Sequence, residues 1–266
     1  MAAAALGGGA FAILSNDDSA TSSGFSLQPA LAAAGDASKD ASFDATTKAV
    51  VDGQQVQVNR IGLIDADAKV VDVTVTSRTA GVAPTAPVNI VLNAAERIAY
   101  IRATTFPNGE ALAAGKTWIE VDKAVVEGRD ISTQFTNAAK NPLEVLAVLA
   151  KGSPTEVGTL TIGTEELKHF TVEVPTKDVE TLNPDLPATV EKSGGTLPST
   201  VVFDLFVTKD NRLRRIESDV DIGPSTISST VVLSDVTTPI SLTAPDQANS
   251  VKLSALSVGL GASGGG

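Results

Sequence analysis

Apolar side chains recur at every second position of this chain from Ala41 onward, and that period constrains the fold more than any other feature. Phe43, Ala45, Thr47, Ala49 and Val51 share one face of an extended segment that ends at Asp52-Gly53, a dipeptide suited to a tight hairpin turn. A return strand follows through Val56 and Val58. The pattern recurs at Val71, Val73 and Val75, at Val88, Ile90 and Leu92, at Ile98 and Tyr100, and at Ile119 and Val121. The second half repeats it at Phe170, Val172 and Val174 and at Val201, Phe203, Leu205 and Val207. Beyond a turn at Lys209-Asp210-Asn211-Arg212 it continues at Ile227, Val231, Leu233, Ile240 and Leu242. Successive side chains on a strand point to opposite faces, so each run has one apolar face. Short strands of this kind between turns predict an antiparallel sheet, long enough to be strongly bent or closed.

One helix is predicted between the two halves. Asn141 is a good N-cap, Pro142 suits the first helical position, and Glu144 completes a capping-box-like spacing. Leu143, Val145, Leu146, Val148 and Leu149 then make the segment apolar almost all round, and Lys151-Gly152 ends it. A helix apolar on more than one side is covered on more than one side, which places it inside the concave face of the sheet. A weaker helical segment runs from Thr176, as its cap, to about Leu182, stopped by Asn183-Pro184 near the mouth of the concavity. The fold class is therefore α+β: a strongly curved antiparallel sheet, an unclosed half-barrel, with a helix packed on its concave face.

The segment Gly115 to Asp122 carries the sole tryptophan, Trp118. Alternation turns Ile119 and Val121 towards the helix and leaves Trp118 on the other face with Glu120 and Asp122. The curved face is lined mainly by Val, Ile, Leu and Ala, which leaves room in the concavity either for the helix alone or for a ligand as well.

Charge and composition exclude several classes of function. A formal charge of −11 opposes binding to nucleic acid, where affinity rests on Lys and Arg neutralising phosphates. The chain has no cysteine, which removes disulfides, thiolate zinc sites, cysteine nucleophiles and a lipid-modified N-terminal cysteine together. His169, the sole histidine, falls on the polar face with Thr171 and Glu173 and reads as an inert surface residue rather than a member of a triad. The acidic pairs Asp65 and Asp67, Glu165 and Glu166, and Asp219 and Asp221 lie at turns or strand ends, where solvated charge is the default. Lys69 interrupts a calcium loop after Asp67. Arg212, Arg214 and Arg215 read as the charged edge of a hairpin, with anionic head groups as the alternative partner. Neither catalytic residues, nor a metal site, nor a cofactor is predicted.

The chain divides into residues 1–40, a leader rich in Ala, Gly and Ser, one folded domain over 41–250, and a flexible tail over 251–266. The apolar start, Ala2 to Leu14, has the length of a signal-peptide core but no preceding Lys or Arg, and it is too short to span a bilayer. It reads either as a signal or anchor remnant or as a disordered leader, with Pro29 to Asp40 as a tether to the folded body.

The order of elements carries a resemblance. Tyr100-Ile101-Arg102, Gly115-Lys116-Thr117-Trp118-Ile119, Asn141-Pro142-Leu143-Glu144-Val145-Leu146, Leu197-Pro198-Ser199-Thr200-Val201, Asn211-Arg212-Leu213 and Val232-Leu233-Ser234-Asp235 follow one another as in the LppX/LprA/LprG lipoprotein family. The chain resembles that family over roughly Ala41 to Asp246. The family is related in fold to the LolA/LolB carriers and the RseB-type sensors, and its half-barrels hold acyl chains of lipids, glycolipids or lipoglycans outside the cytoplasm. The resemblance implies a non-enzymatic, monomeric carrier in the cell envelope. Its ligands would be lipid or glycolipid acyl chains, in a cavity lined by Leu143, Leu146 and Leu149 opposite Phe203, Leu205, Ile119 and Val121, with Val73 and Ile90 on the same face. A sensor or scaffold of the same fold, with a filled interior and an envelope protein as partner, is the alternative. The family's lipid-modified cysteine is missing here, which leaves release, retention by an uncleaved N-terminal segment, or a start further upstream.

Overall fold

The alternating runs become strands, and all but two of the strands join one sheet. In this computed structural model the described residues are 31 and 40–253, apart from 52, 66, 107–108, 123–124, 127–128, 131–134, 136, 163, 183–185, 193, 211, 224 and 237–239. The leader, apart from Leu31 and Asp40, therefore lies outside the described residues, as do residues 254–266 and the Asn183-Pro184 stop. The strands are β1 (Asp40–Val51), β2 (Gln54–Asp65), β3 (Val70–Thr79), β4 (Val88–Asn93), β5 (Ile98–Arg102) and β6 (Trp118–Val121). They continue with the small separate pair β7 (Val125–Val126) and β8 (Arg129–Asp130), then β9 (Ser153–Ile162), β10 (Glu165–Pro175), β11 (Thr200–Thr208), β12 (Leu213–Asp221), β13 (Thr226–Asp235) and β14 (Ser250–Lys252).

The large sheet has twelve strands in the order β14-β6-β5-β4-β3-β2-β1-β13-β12-β11-β10-β9. Every pairing in it is antiparallel except that of β14 with β6. The sheet is not closed: β14 and β9 are its two edges. Gly53, with φ 72°, makes the β1–β2 turn in the left-handed region where glycine has no steric cost.

Register carries the core from strand to strand. Leu233 pairs with Phe43, Phe43 with Gly62, Gly62 with Val73, and Val73 with Ile90. All of these but Gly62 belong to the main buried cluster, which also takes in Leu31, Phe170, Val172, Val174, Leu205 and Ile216. Residues from both ends of the sheet thus meet in one core, which is what curvature into a half-barrel achieves. Gly62 has a specific reason to lack a side chain: a Cβ there would overlap the Asp72 carbonyl oxygen and come within 2.9 Å of the Phe43 ring.

The predicted helix is present on the concave side but is irregular, a 3-10 turn at Pro142–Val145 followed by one α-turn at Leu146–Leu149. Asn141 Oδ1 accepts from the Leu143 amide, as its N-cap position requires. Glu144 does not complete the capping box; its carboxylate pairs with Lys140 Nζ at 3.1 Å. Leu143, Leu146, Val148 and Leu149 are buried, whereas Glu144 and Ala147 face solvent, so the segment is covered on one broad side rather than all round.

Four other expectations need correction. Thr176 begins the helix Thr176–Val179 but does not cap it; its hydroxyl donates to the Pro198 carbonyl at 2.5 Å, and Pro175 stands at the N-cap. Ile240 and Leu242 form no strand. Their amides donate to Asp40 Oδ2 and Asp65 Oδ2, each at 3.0 Å, so the chain crosses the convex face as a strap before entering β14. The boundary expected at residue 250 falls inside β14. The Arg212, Arg214 and Arg215 cluster guards no edge, because β12 lies between β11 and β13.

Candidate functional site

Between the sheet and the helical layer lies a cavity of about 190 Å³. Its floor comes from the concave faces of β1, β2, β11, β12 and β13: Thr47, Val58, Arg60, Val201, Phe203, Ile216, Ser218, Val220, Ile227 and Val231. Its opposite wall comes from Asn137, Ala138, Lys140, Asn141, Pro142, Glu144 and Val145 and from Thr176, Val179, Leu182, Leu186 and Leu197. The lining is predominantly apolar, which favours hydrocarbon over water.

The wall is tied together at one lysine. Lys140 Nζ donates to the Leu182 carbonyl oxygen at 2.7 Å and pairs with Glu144, so the 142–149 segment and the turn after Thr176–Val179 are joined across the cavity's border. Both charged side chains remain partly open to solvent, at 29% and 42% exposure, which marks this border as the cavity's polar rim.

The floor can be read rung by rung. Arg60 pairs with Ala45, Ala45 with Val231, Val231 with Ile216, and Ile216 with Leu205. The next rung runs Val58, Thr47, Ser229, Ser218 and Phe203, and the third joins Val56, Ala49, Ile227 and Val220. An apolar trough therefore carries a cation on one rung and two lining hydroxyls, Thr47 and Ser218, on the next. Thr47 is 3% exposed and its Oγ1 has no hydrogen-bond partner. Arg60 is half-buried, and burial pulls its guanidinium pKa down from the ordinary value.

Of the residues expected to line the cavity, Phe203 lies on its floor. Leu143, Leu146, Leu149, Val73, Ile90 and Leu205 pack in the main core beside it. Ile119 and Val121 share the concave side but belong to a separate cluster with Leu253. Trp118 sits on the opposite face from Ile119, against Val70, Val91 and Tyr100. Sequence reasoning did not single out Arg60, although it stands in phase with Val56 and Val58; a charged residue at an inward position of an apolar strand was the available signal.

The polar groups weighed for chemistry are dispersed. His169 Nε2 lies 2.6 Å from Asp204 Oδ1 and the imidazole stacks on Phe206, with ring centroids 4.7 Å apart. This is on the convex face, away from the cavity, but His169 is engaged rather than free in solvent. Glu217 is buried beside it, bound to Arg215; burial raises its carboxyl above the usual range and Arg215 opposes the rise. Asp219 and Asp221 are exposed and accept from Ser228 and Thr226, each at 2.7 Å. Arg214 pairs with Glu165 and Lys209 with Glu166. Asp65 Oδ1 accepts from the Ala68 amide at 2.8 Å. Among the described residues no group of three or more His, Cys, Asp or Glu could hold a metal ion, and no helix is long and apolar enough to cross a membrane.

No family model matches the sequence, and no curated protein matches it. Among solved structures the chain is similar to lipoprotein LppX of Mycobacterium tuberculosis, at 15% identity and a TM-score of 0.41, covering 78% of this chain and 93% of that one. It is also similar to LprF of Mycobacterium bovis, at 12% identity and a TM-score of 0.43, covering 82% of this chain and 96% of LprF. A third similar structure is the MucA/MucB complex of Pseudomonas aeruginosa, at 10% identity and a TM-score of 0.31, covering 80% of this chain and 58% of the matched one.

Proposed function

We propose that the protein is a non-enzymatic lipid-binding protein of the cell envelope, acting as a monomer, which shelters an acyl chain between the sheet and the helical layer. The observation that carries this reading is the cavity itself: an apolar trough, walled by short helical segments and bordered by a solvated Lys140–Glu144 pair. Burying an acyl chain there is worth ~0.8 kcal/mol per methylene. A single acyl segment is thus the natural guest, with the rest of a longer chain leaving past the rim.

One observation favours the second reading, a scaffold with a filled interior that binds an envelope protein. The volume of about 190 Å³ lies below the ~300–1,000 Å³ of common ligand pockets. The two readings part at Val220, a half-buried floor residue that borders the cavity and packs against both neighbouring buried clusters, so a larger side chain there takes up cavity volume. Val220→Trp is expected to reduce binding of a fluorescent fatty acid at least tenfold while the melting temperature stays within a few degrees. If the unsubstituted protein binds no such probe, and none co-purifies by native mass spectrometry, the carrier reading is lost and the scaffold remains.

A further inference from the structure

Arg60 is out of place in the floor of an apolar trough. It faces inward because β2 is in register with β1: Gly62 stands opposite Phe43, Arg60 opposite Ala45, and Val58 opposite Thr47. Its neighbours across β2 are small or apolar, Ala45 on one side and Val75 on the other. Among the described residues no carboxylate pairs with it. Glu144 is the acidic residue that lines the cavity, and it is bound to Lys140 at the rim. A guanidinium is always charged, and holding it in an apolar site without a counter-charge is costly. A purely hydrocarbon guest gives no reason for it to be there.

The second observation is independent of the charge. Thr47 is one in-phase position along β1 from Ala45, hence diagonal to Arg60, at a spacing where side chains reach a common ligand. Its hydroxyl is buried and lacks a partner, a rare state for a buried polar group. Ser218 lines the same cavity two strands away, on the same rung as Thr47. A planar five-donor fork beside hydroxyls that can also donate is the arrangement that an oxyanion requires.

We propose that the cavity selects a single-chain amphiphile with an anionic oxygen head group, carboxylate or phosphate, and that Arg60 binds the head group with Thr47 donating a further hydrogen bond. The hydrocarbon then runs along the floor over Ile216, Val231 and Val220. This inference rests on the reading that the cavity holds an acyl chain, and it adds the polarity and charge of the guest. The lowered pKa of the half-buried guanidinium is consistent with a charge awaiting its partner.

The test uses the full chain and four probes of equal chain length: dodecanoate, dodecyl phosphate, dodecanol and dodecyltrimethylammonium, titrated by calorimetry at fixed ionic strength below their aggregation limits. At least one anionic probe is expected to bind ten- to a hundredfold more tightly than dodecanol, with the cation weakest, because hydrogen bonds to charged groups carry that much discrimination. The two anions separate a fatty-acid-like guest from a phosphate-headed one. In Arg60→Met the preference for the better anion over dodecanol is expected to fall to within about threefold. The same variant is expected to melt at or above the temperature of the unsubstituted ligand-free protein, since a half-buried charge with no carboxylate partner has been removed. Thr47→Val is expected to lose part of the preference. Equal binding of dodecanol and both anions, or an anion preference that survives Arg60→Met, overturns the inference while leaving the acyl-chain reading in place. Failure of all four probes to bind overturns both.

Discussion

Arg60 and Asp72 lie on neighbouring strands, on opposite faces of the sheet, and show what burial does to a charge when the group can or cannot release it. Arg60 faces the concave cavity and does not escape its charge by losing a proton near neutral pH, because its ordinary value is so high. Asp72 faces the convex side, opposite Leu63 and Val91 in the ladder, and can escape by binding a proton. Burial raises its carboxyl above the usual range, and Arg102 offsets only part of the rise. The folded-state value thus exceeds the unfolded one, so the contribution is fully present below the unfolded value and is lost as pH rises through the folded value. Asp72→Asn keeps the uncharged form at every pH. It is expected to match the unsubstituted protein in acid and to exceed it in stability above the carboxylate range, measured as urea midpoints from pH 3.5 to 7.5. A constant difference across that range would show that burial does not govern this group.

At the scale of elements, alternation was a reliable guide wherever one face is buried, as in β1 at Phe43, β3 at Val73 and β4 at Ile90. It failed at β9, where Pro154, Gly158 and a largely exposed edge position leave no apolar period to read. It misassigned Ile240 and Leu242, because two apolar residues spaced by two also suit an extended strap whose amides are held by Asp40 and Asp65. The helix Leu186–Lys192 went unread for its brevity and its Pro187, although Leu186 and Val190 form a small core with Ile222 and Ile227. The Asn141 signal was legible because capping is local: one side-chain oxygen, one amide, two residues apart. Asn141→Ala is expected to cost about 1 kcal/mol of stability in chemical denaturation, and to loosen the wall of the cavity. A cost below a few tenths of a kcal/mol would mean that Lys140 and the buried leucines hold the segment without its cap.

For the whole molecule, the cavity is harder to read than the faces because it is made by what the faces leave uncovered. Periodicity turns Val58, Phe203 and Val231 inward, but only the three-dimensional path of residues 137–145, 176–182, 186–192 and 194–197 decides which part of the trough stays open and which, around Leu146 and Ile90, is filled. The same separation of faces makes Trp118 a useful reporter. It packs on the convex side with Val70, Val91, Tyr100, Leu242 and Ala244, across the sheet from the cavity. The strap that covers it is held by the two aspartate hydrogen bonds, worth ~1 kcal/mol each, and Lys116 Nζ donates to the Gln247 and Ala248 carbonyls at 2.8 and 2.9 Å. Truncation after Asp235 removes the strap and β14 together. The expected result is a red shift in tryptophan emission and a lower unfolding midpoint, because the tryptophan face and the edge of β6 are both uncovered. Saturating the intact protein with dodecanoate is expected to leave the emission maximum in place. A blue shift on ligand addition would place the guest against the convex face, beneath the strap, rather than in the trough that contains Arg60.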